Sequence, residues 1–192
     1  MGAASTATMT AGEFCDWVVR EHLDGRAYEL VRGEVSEVPP PTRLHGLCCW
    51  LVIKVLTEYV GRRGAGHLLT NDAGILVEEN PDTLRGADVI LFLRNPAPQD
   101  FAGQYVTDVP DLVVEIVSPS DRKKDINLRV NQYLDRGIPL VWLIDPDDRL
   151  VTVCRPRAFP KALDATEELT GSDVLPDFAC PVRVLFPPTP TP

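Results

Sequence analysis

Two acidic residues interrupt otherwise apolar stretches of the sequence, Asp88 within residues 87–93 and Glu115 within residues 111–117. Short stretches rich in aliphatic residues are typical of buried β-strands. A buried carboxylate requires a cation, a hydrogen-bond network or a raised pKa, because burying it unpaired is costly. If the two strands are neighbours, the carboxylates converge into the hard oxygen ligands that Mg²⁺ or Mn²⁺ requires.

Arginine residues offer a purely structural alternative for both acids. The candidate partners are Arg85 and Arg94 for Asp88, and Arg122 and Arg129 for Glu115. For either acid alone, such an ion pair is the simpler interpretation. Two acids in consecutive apolar strands, with a basic helix directly after them, together favour a functional site.

Two helices are expected in the first third of the chain. Thr10 and Glu13 have the spacing of a capping box, which predicts a helix that ends near Asp24-Gly25. Thr42 can cap a second helix over residues 43–59. The expected buried stripe of this second helix consists of Leu44, Leu47, Leu51, Val52 and Val55.

Strands and one more helix make up the rest of the chain. The expected strand pairs cover residues 28–36, residues 67–77 with a turn at Asn71-Asp72, and residues 140–153. The Ser118-Pro119 cap predicts a helix of about 18 residues that ends at Gly137. This order of elements predicts an α/β fold around a mixed sheet.

Composition is that of an ordinary globular protein, with 44% hydrophobic and 24% charged residues among 192. We expect a single domain over residues 1–186 and a disordered, proline-rich tail over residues 187–192. No apolar run of membrane-spanning length and no signal peptide is expected, which favours a cytoplasmic protein without a membrane partner. The net charge of −9 opposes non-specific attraction to nucleic acid, although a local basic face can still act at short range.

Five cysteines occur without a C-x-x-C pair or a histidine at zinc-finger spacing. We expect them to be reduced core residues. The adjacent Cys48 and Cys49 could bind a soft metal, but helical neighbours point about 100° apart and no further ligand is expected beside them.

The segment at residues 110–120, PDLVVEIVSPS, resembles the signature of the Uma-type family of restriction endonucleases, which belongs to the PD-(D/E)XK nucleases. Further similar segments follow the family order over nearly the whole chain: YELVRGE at 28–34, His45, Tyr133-Leu134, GIP at 137–139, VWLIDP at 141–146, LPDF at 175–178 and LF at 185–186. The resemblance implies a restriction-endonuclease-like fold, with a central mixed sheet flanked by helices, an N-terminal helix and β-hairpins. It also implies Mg²⁺-dependent or Mn²⁺-dependent hydrolysis of phosphodiester bonds in DNA.

The same resemblance makes Asp88 and Glu115 the metal-binding pair. A lysine normally completes this site, but Val117 stands in its place, and the family then uses a cation on the next helix, where this sequence has Arg129. The rise per residue along the strand after Glu115, compared with that of the helix that returns beside it, places Arg129 near the level of Glu115. Lys123 is then the second candidate for the missing cation. Arginine cannot serve as a base, so we expect activity to be weak or lost unless a carboxylate or the metal supplies one.

Glu34, Glu29 and His45 are second-rank candidates, because the resemblance places the hairpin and the second helix beside the cleft. For Glu34 a surface role is equally favoured, and a satisfied helix residue is the commoner role for His45. Asp111 is expected to be a rim or capping residue.

Two alternatives follow for function. The first is a DNA endonuclease that acts as a homodimer, since double-strand cleavage needs two sites. The second is a non-catalytic nuclease-like scaffold that binds protein or DNA, which Val117, Arg129 and the acidic isoelectric point support.

Overall fold

The computed structural model describes residues 8–21 and 26–188. Its helices are α1 (Ala11–Glu21), α2 (Arg43–Arg63) and α3 (Lys123–Asp135), with short 3₁₀ segments at Pro98–Phe101 and Val182–Leu185. Its strands are β1 (Ala27–Val31), β2 (Glu34–Val38), β3 (His67–Glu78), β4 (Thr83–Phe92), β5 (Leu112–Ile116), β6 (Val141–Asp145), β7 (Leu150–Cys154), β8 (Lys161–Leu163), β9 (Glu168–Thr170) and β10 (Ala179–Pro181).

One eight-stranded sheet organises the molecule in the order β2-β1-β4-β5-β6-β7-β8, with β3 also paired to β4. Strands β5 and β6 are parallel and are joined through α3, whereas the other pairs of this sheet are antiparallel. The strands β9 and β10 form a small separate ribbon. The predicted α/β fold with a mixed sheet and flanking helices is confirmed.

Helices α2 and α3 pack in two different cores of the sheet. Val52 and Leu56 of α2 share a core with Leu91 of β4 and Trp142 of β6. Val130 and Tyr133 of α3 share a second core with the strands β3, β4 and β5. The strand residues in this core include Ile75, Ile90 and Val113. Buried apolar contacts therefore hold both helices against β4 and β5.

Helix α1 begins as predicted and α2 differs from prediction. The Thr10 main-chain N–H donates to the Glu13 carboxylate at 2.8 Å, and the Glu13 N–H donates to the Thr10 hydroxyl oxygen at 3.3 Å, the two reciprocal bonds of a capping box. The predicted end of α1 near Asp24-Gly25 lies outside the described residues. Helix α2 continues through Gly61 and ends at Arg63, and its C-cap Gly64 takes a φ of 69° that suits glycine.

The predicted buried stripe of α2 was correct only in part: Val52 is buried, and Leu44 and Val55 are partly buried against the core. The buried residues are Cys48, Val52, Leu56 and Tyr59, while Leu47 is 40% exposed. Apolar side chains surround α2, so periodicity could not decide which face meets the sheet. By length and composition alone α2 could also cross a membrane, contrary to expectation, but the face just named packs into the sheet core.

The third helix starts later than predicted, at Lys123, and is 13 residues long. Residues 118–121 form a turn instead, because the Asp121 carboxylate accepts the Ser118 N–H while the Ser118 carbonyl accepts the Asp121 N–H. The helix ends before Gly137, as predicted, where the main chain takes a φ of 102°.

The predicted turn at Asn71-Asp72 is a β-bulge. Both residues take positive φ, 64° and 56°, yet β3 continues through them and pairs with β4 on either side. The bulge also changes where the side chain of Asp72 lies. The hairpin of β1 and β2 around Arg32-Gly33 is as predicted.

Candidate active site

The strands β4 and β5 separate at one end, and this separation creates the site. Their last paired residues at this end are Val89 and Val114, so Asp88 and Glu115 are the next residues along the two strands. Beyond this point the Asp88 carboxylate accepts the Ile116 N–H at 2.7 Å, in place of a main-chain partner. Both predicted acids therefore lie side by side at the open end of a strand pair.

Glu115 is buried, and both of its oxygens are hydrogen-bonded by α3. The Arg129 guanidinium donates to one oxygen at 2.9 Å, and the Tyr133 hydroxyl donates to the other at 2.5 Å. Arg129 and Tyr133 are four residues apart and so lie on one face of α3. Burial raises the pKa of Glu115 to about 7, with the charges of Asp88 and Glu29 adding to the rise and Arg129 opposing it.

Arg129 joins Glu115 to a second buried acid. Its guanidinium also contacts Glu29 of β1 at 3.1 Å, and Glu29 accepts further hydrogen bonds from the Arg85 side chain and the Gly86 N–H. The neighbouring charge of Glu115 raises the pKa of Arg129 above its ordinary value, against the effect of burial. The guanidinium is therefore a permanent cation that cannot accept a proton.

Asp88 is held from the other side by α2. His45 Nε2 lies 3.1 Å from the free oxygen of Asp88, and Cys49 Sγ lies 3.5 Å from His45 Nδ1. The Thr42 hydroxyl oxygen accepts the His45 N–H and so fixes the first turn of α2 beside Asp88. The hydrogen bond to Asp88 raises the pKa of His45 despite its partial burial.

Asp72 is a site residue that sequence reasoning missed. The residue lines the cleft and is exposed to solvent. Partial loss of hydration nevertheless raises its pKa, and the charges of Asp88 and Glu29 raise it further, while those of His45 and Arg129 lower it. The bulge in β3 places it opposite Gly86, where a Cβ would lie only 3.0 Å from Asp72 Cβ. The signal available in the sequence was the Asn71-Asp72 pair, because Asn and Asp tolerate positive φ.

A cleft of about 710 Å³ opens above these groups. Its polar lining consists of Tyr28, Glu29, His45, Thr70, Asn71, Asp72, Asp88, Gln104, Glu115, Ser118, Ser120, Asp121 and Arg129, together with the thiols of Cys15 and Cys49. The structure thus brings Asp88, Glu115 and Arg129 together with the second-rank candidates Glu29 and His45.

Three other candidates lie elsewhere. Lys123 is exposed at the first residue of α3, and Glu34 is exposed at the start of β2; neither is among the described residues that line the cleft. Asp111 accepts the Leu93 N–H at 2.7 Å and so caps a strand, in line with the expected role.

The cysteines need one correction. All five are free thiols, and Cys48, Cys154 and Cys180 are buried as expected. Cys49, however, has further ligands beside it, because one ligand atom each from Cys49, His45 and Asp88 all lie within 4.8 Å of one another. Tertiary structure supplied these neighbours, which spacing along the chain could not show.

The donor set fits a divalent cation. Asp88, Glu115 and Asp72 offer carboxylate oxygens at one open cleft. Loss of hydration raises the pKa values of Glu115 and Asp72, and the negative charge of the neighbouring Asp88 raises both further. A hard cation between Asp88 and Glu115 would balance that charge. Val117, which stands at the place of the usual lysine, offers no polar group.

Comparison with known proteins supports a nuclease family. Residues 12–183 match the Uma2 family, described as "putative restriction endonuclease". A solved structure from Anabaena variabilis, titled a "putative nuclease belonging to DUF820", shares the fold at a TM-score of 0.72 with 20% sequence identity, covering 83% of this chain and 89% of that chain. No curated protein matches the sequence. A match over this much of the chain shows that the protein belongs to the Uma2 family of restriction-endonuclease-like proteins.

Proposed function

We propose that this protein is a divalent-cation-dependent DNA endonuclease whose metal-binding pair is Asp88 and Glu115. The observation that carries the proposal is the placement of these two acids at the separated end of β4 and β5, beside an arginine and above an open cleft. The family supports nuclease chemistry, and Mg²⁺ or Mn²⁺ suits the carboxylate oxygens.

Each side chain then has a definable task. When bound, such a cation lowers the pKa of a water and offsets charge on the leaving oxygen. Arg129 lines the cleft while it contacts Glu115, so its guanidinium can bind the non-bridging oxygens of an entering phosphate. Tyr133 holds the Glu115 carboxylate in place, and Asp72 is the cleft carboxylate that we assign to accept the proton of the attacking water.

Plasmid cleavage tests the proposal directly. Supercoiled plasmid is incubated with the protein and Mg²⁺ or Mn²⁺, with and without chelator, for the wild type, Asp88→Asn, Glu115→Gln and the matched exposed control Glu34→Gln. Both site variants should lose about 10²-fold or more in rate, the order expected when a main electrostatic stabiliser is lost. The control should cleave like the wild type. Cleavage that survives chelation, or that Glu115→Gln leaves unchanged, would place the chemistry elsewhere.

The same assay bears on assembly. Double-strand cleavage requires two sites, and we propose a homodimer for that reason. Linear product formed without accumulation of nicked circles would support paired sites, whereas exclusively nicked product would oppose them.

A non-catalytic scaffold is the second candidate, and one observation favours it. Both Glu115 oxygens already have protein donors, and Arg129 is shared between Glu115 and Glu29. A side chain so fully paired can be stable without a metal. Calorimetric titration with Mg²⁺ separates the two candidates. The endonuclease should bind Mg²⁺ and lose that binding in Glu115→Gln, whereas the scaffold should give the same titration for the wild type and for Glu115→Gln.

A further inference from the structure

We propose that His45, Cys49 and Asp88 form a sulfur-containing site for Zn²⁺, which shares Asp88 with the magnesium pair and so opposes DNA cleavage. The opposition to cleavage rests on the proposed function. The zinc site itself rests only on geometry and ligand chemistry.

Two of the ligands come from one face of α2. His45 and Cys49 are four residues apart, so their side chains lie on the same side of the helix, and Sγ is 3.5 Å from Nδ1. Asp88 approaches this face from β4, with one oxygen 3.1 Å from His45 Nε2. One ligand atom from each side chain lies within 4.8 Å of the others. Sγ faces Nδ1 and the Asp88 oxygen faces Nε2, so binding one tetrahedral ion requires the imidazole to turn and present a single ring nitrogen to that ion.

The surrounding structure holds these ligands in place. The second oxygen of Asp88 accepts the Ile116 N–H, which leaves the first oxygen free to face α2. The Thr42 cap fixes the start of α2, and Cys48 and Val52 anchor the same turns in the core. Rigid elements therefore present all three side chains, which limits the reorganisation that binding requires.

Ligand softness separates this site from the magnesium pair. A thiolate and an imidazole prefer Zn²⁺ and related transition metals, whereas Mg²⁺ prefers oxygen ligands. The three ligands also line the open cleft, so a fourth position remains accessible to water or a small ligand. Because Asp88 belongs to both ligand sets, Zn²⁺ held by α2 withdraws one carboxylate from the pair with Glu115.

Co²⁺ and Zn²⁺ binding tests the site without any need for cleavage. Protein freed of metal with chelator is titrated with Co²⁺, and the sulfur-to-cobalt charge-transfer absorption reports thiolate ligation; Zn²⁺ then displaces the cobalt. The variants are Cys49→Ser, the matched thiol control Cys15→Ser, which also lines the cleft, and Glu115→Gln, which alters the magnesium pair alone. Thermal unfolding confirms that each variant is folded.

The absorption should appear at one cobalt per chain in the wild type, in Cys15→Ser and in Glu115→Gln. Cys49→Ser should lose the absorption and should bind Zn²⁺ at least roughly tenfold more weakly than the wild type. A wild type without the absorption, an unchanged Cys49→Ser, or equal losses in both cysteine variants would overturn the site. Zinc binding without any plasmid cleavage would retain the site and refute the proposed function instead.

Inhibition is then measured as a ratio within each variant. The Zn²⁺ concentration that halves Mg²⁺-supported cleavage, relative to that variant's own zinc-free rate, should rise roughly tenfold in Cys49→Ser and stay unchanged in Cys15→Ser. Equal inhibition of both variants would refute the opposition between the two metals.

Discussion

Replacing Glu115 with glutamine should stabilise the metal-free protein at neutral and alkaline pH. Burial raises the pKa of this carboxyl from 4.5 to about 7. Since one pKa unit corresponds to about 1.4 kcal/mol, ionising the group in the folded protein costs about 3 kcal/mol more than in the unfolded chain. Glutamine keeps the shape without that cost but makes a weaker hydrogen bond to Arg129, so we expect a net gain of about 1–3 kcal/mol.

The sign of the pH dependence follows from the direction of the shift. A carboxyl whose pKa is higher when folded binds more protons in the folded state than in the unfolded state. Its contribution to the free energy of unfolding therefore falls as the pH rises from 4.5 to about 7 and is constant above that. Glu115→Gln lacks this titration, so the variant should gain on the wild type over this window and differ little below it.

Urea unfolding in the presence of chelator measures the difference, with the fluorescence of buried Trp142 as a reporter of the core. Glu34→Gln is the matched control, because Glu34 is exposed and its substitution should change stability by less than about 0.5 kcal/mol. A glutamine variant that is less stable than the wild type at pH 8, or a difference that does not change with pH, would refute the reasoning.

Three further perturbations probe the same cluster. Arg129→Ala should lower Mg²⁺-supported plasmid cleavage by about 10²-fold, because it removes the cation beside Glu115. Arg129→Lys should stay close to the wild type, because the ammonium keeps the positive charge. Lys123→Ala should have no effect, and the reverse ranking of the two alanine variants would show that the wrong cation was chosen. Glu29→Gln should lower the free energy of unfolding by about 3 kcal/mol, since it leaves the buried Arg85 guanidinium without its charged partner, and a loss under 1 kcal/mol in urea unfolding would contradict this. Thr42→Ala should lower the melting temperature through the loss of about 1 kcal/mol of capping energy, which calorimetry would detect.

Local sequence was sufficient to predict the two acids and their strands. Asp88 and Glu115 stand out because a carboxylate among aliphatic residues is unfavourable unless something balances it. Arg129 was also placed correctly beside Glu115, although α3 starts at Lys123 and not after Ser118. The later start of α3 did not change this outcome, because the long arginine side chain still extends from the helix to Glu115.

The missed parts of the site depend on contacts between distant segments. An Asn-Asp pair with positive φ suits a turn as well as a bulge, and only pairing of β3 with β4 on both sides of Asp72 decides between them. Similarly, apolar residues surround α2, so its sequence does not show that His45 and Cys49 face Asp88. Local sequence signals predict whether a segment forms a helix or a strand, but they do not predict which distant residues it contacts.

Charge balance connects the separate features of this site. The carboxylates that interact with one another at the acidic pair are Glu29, Asp72, Asp88 and Glu115, and the cations in contact with them are Arg85, Arg129 and, when protonated, His45. These four carboxylates exceed even this set of cations by one charge, and two of them, Glu29 and Glu115, are buried. Such an excess favours the binding of a proton, of a hard cation at the acidic pair or of a soft cation beside the thiol. The raised pKa of Glu115, the proposed magnesium pair and the proposed zinc site are three responses to one imbalance, and because they draw on the same carboxylates, each should weaken the other two.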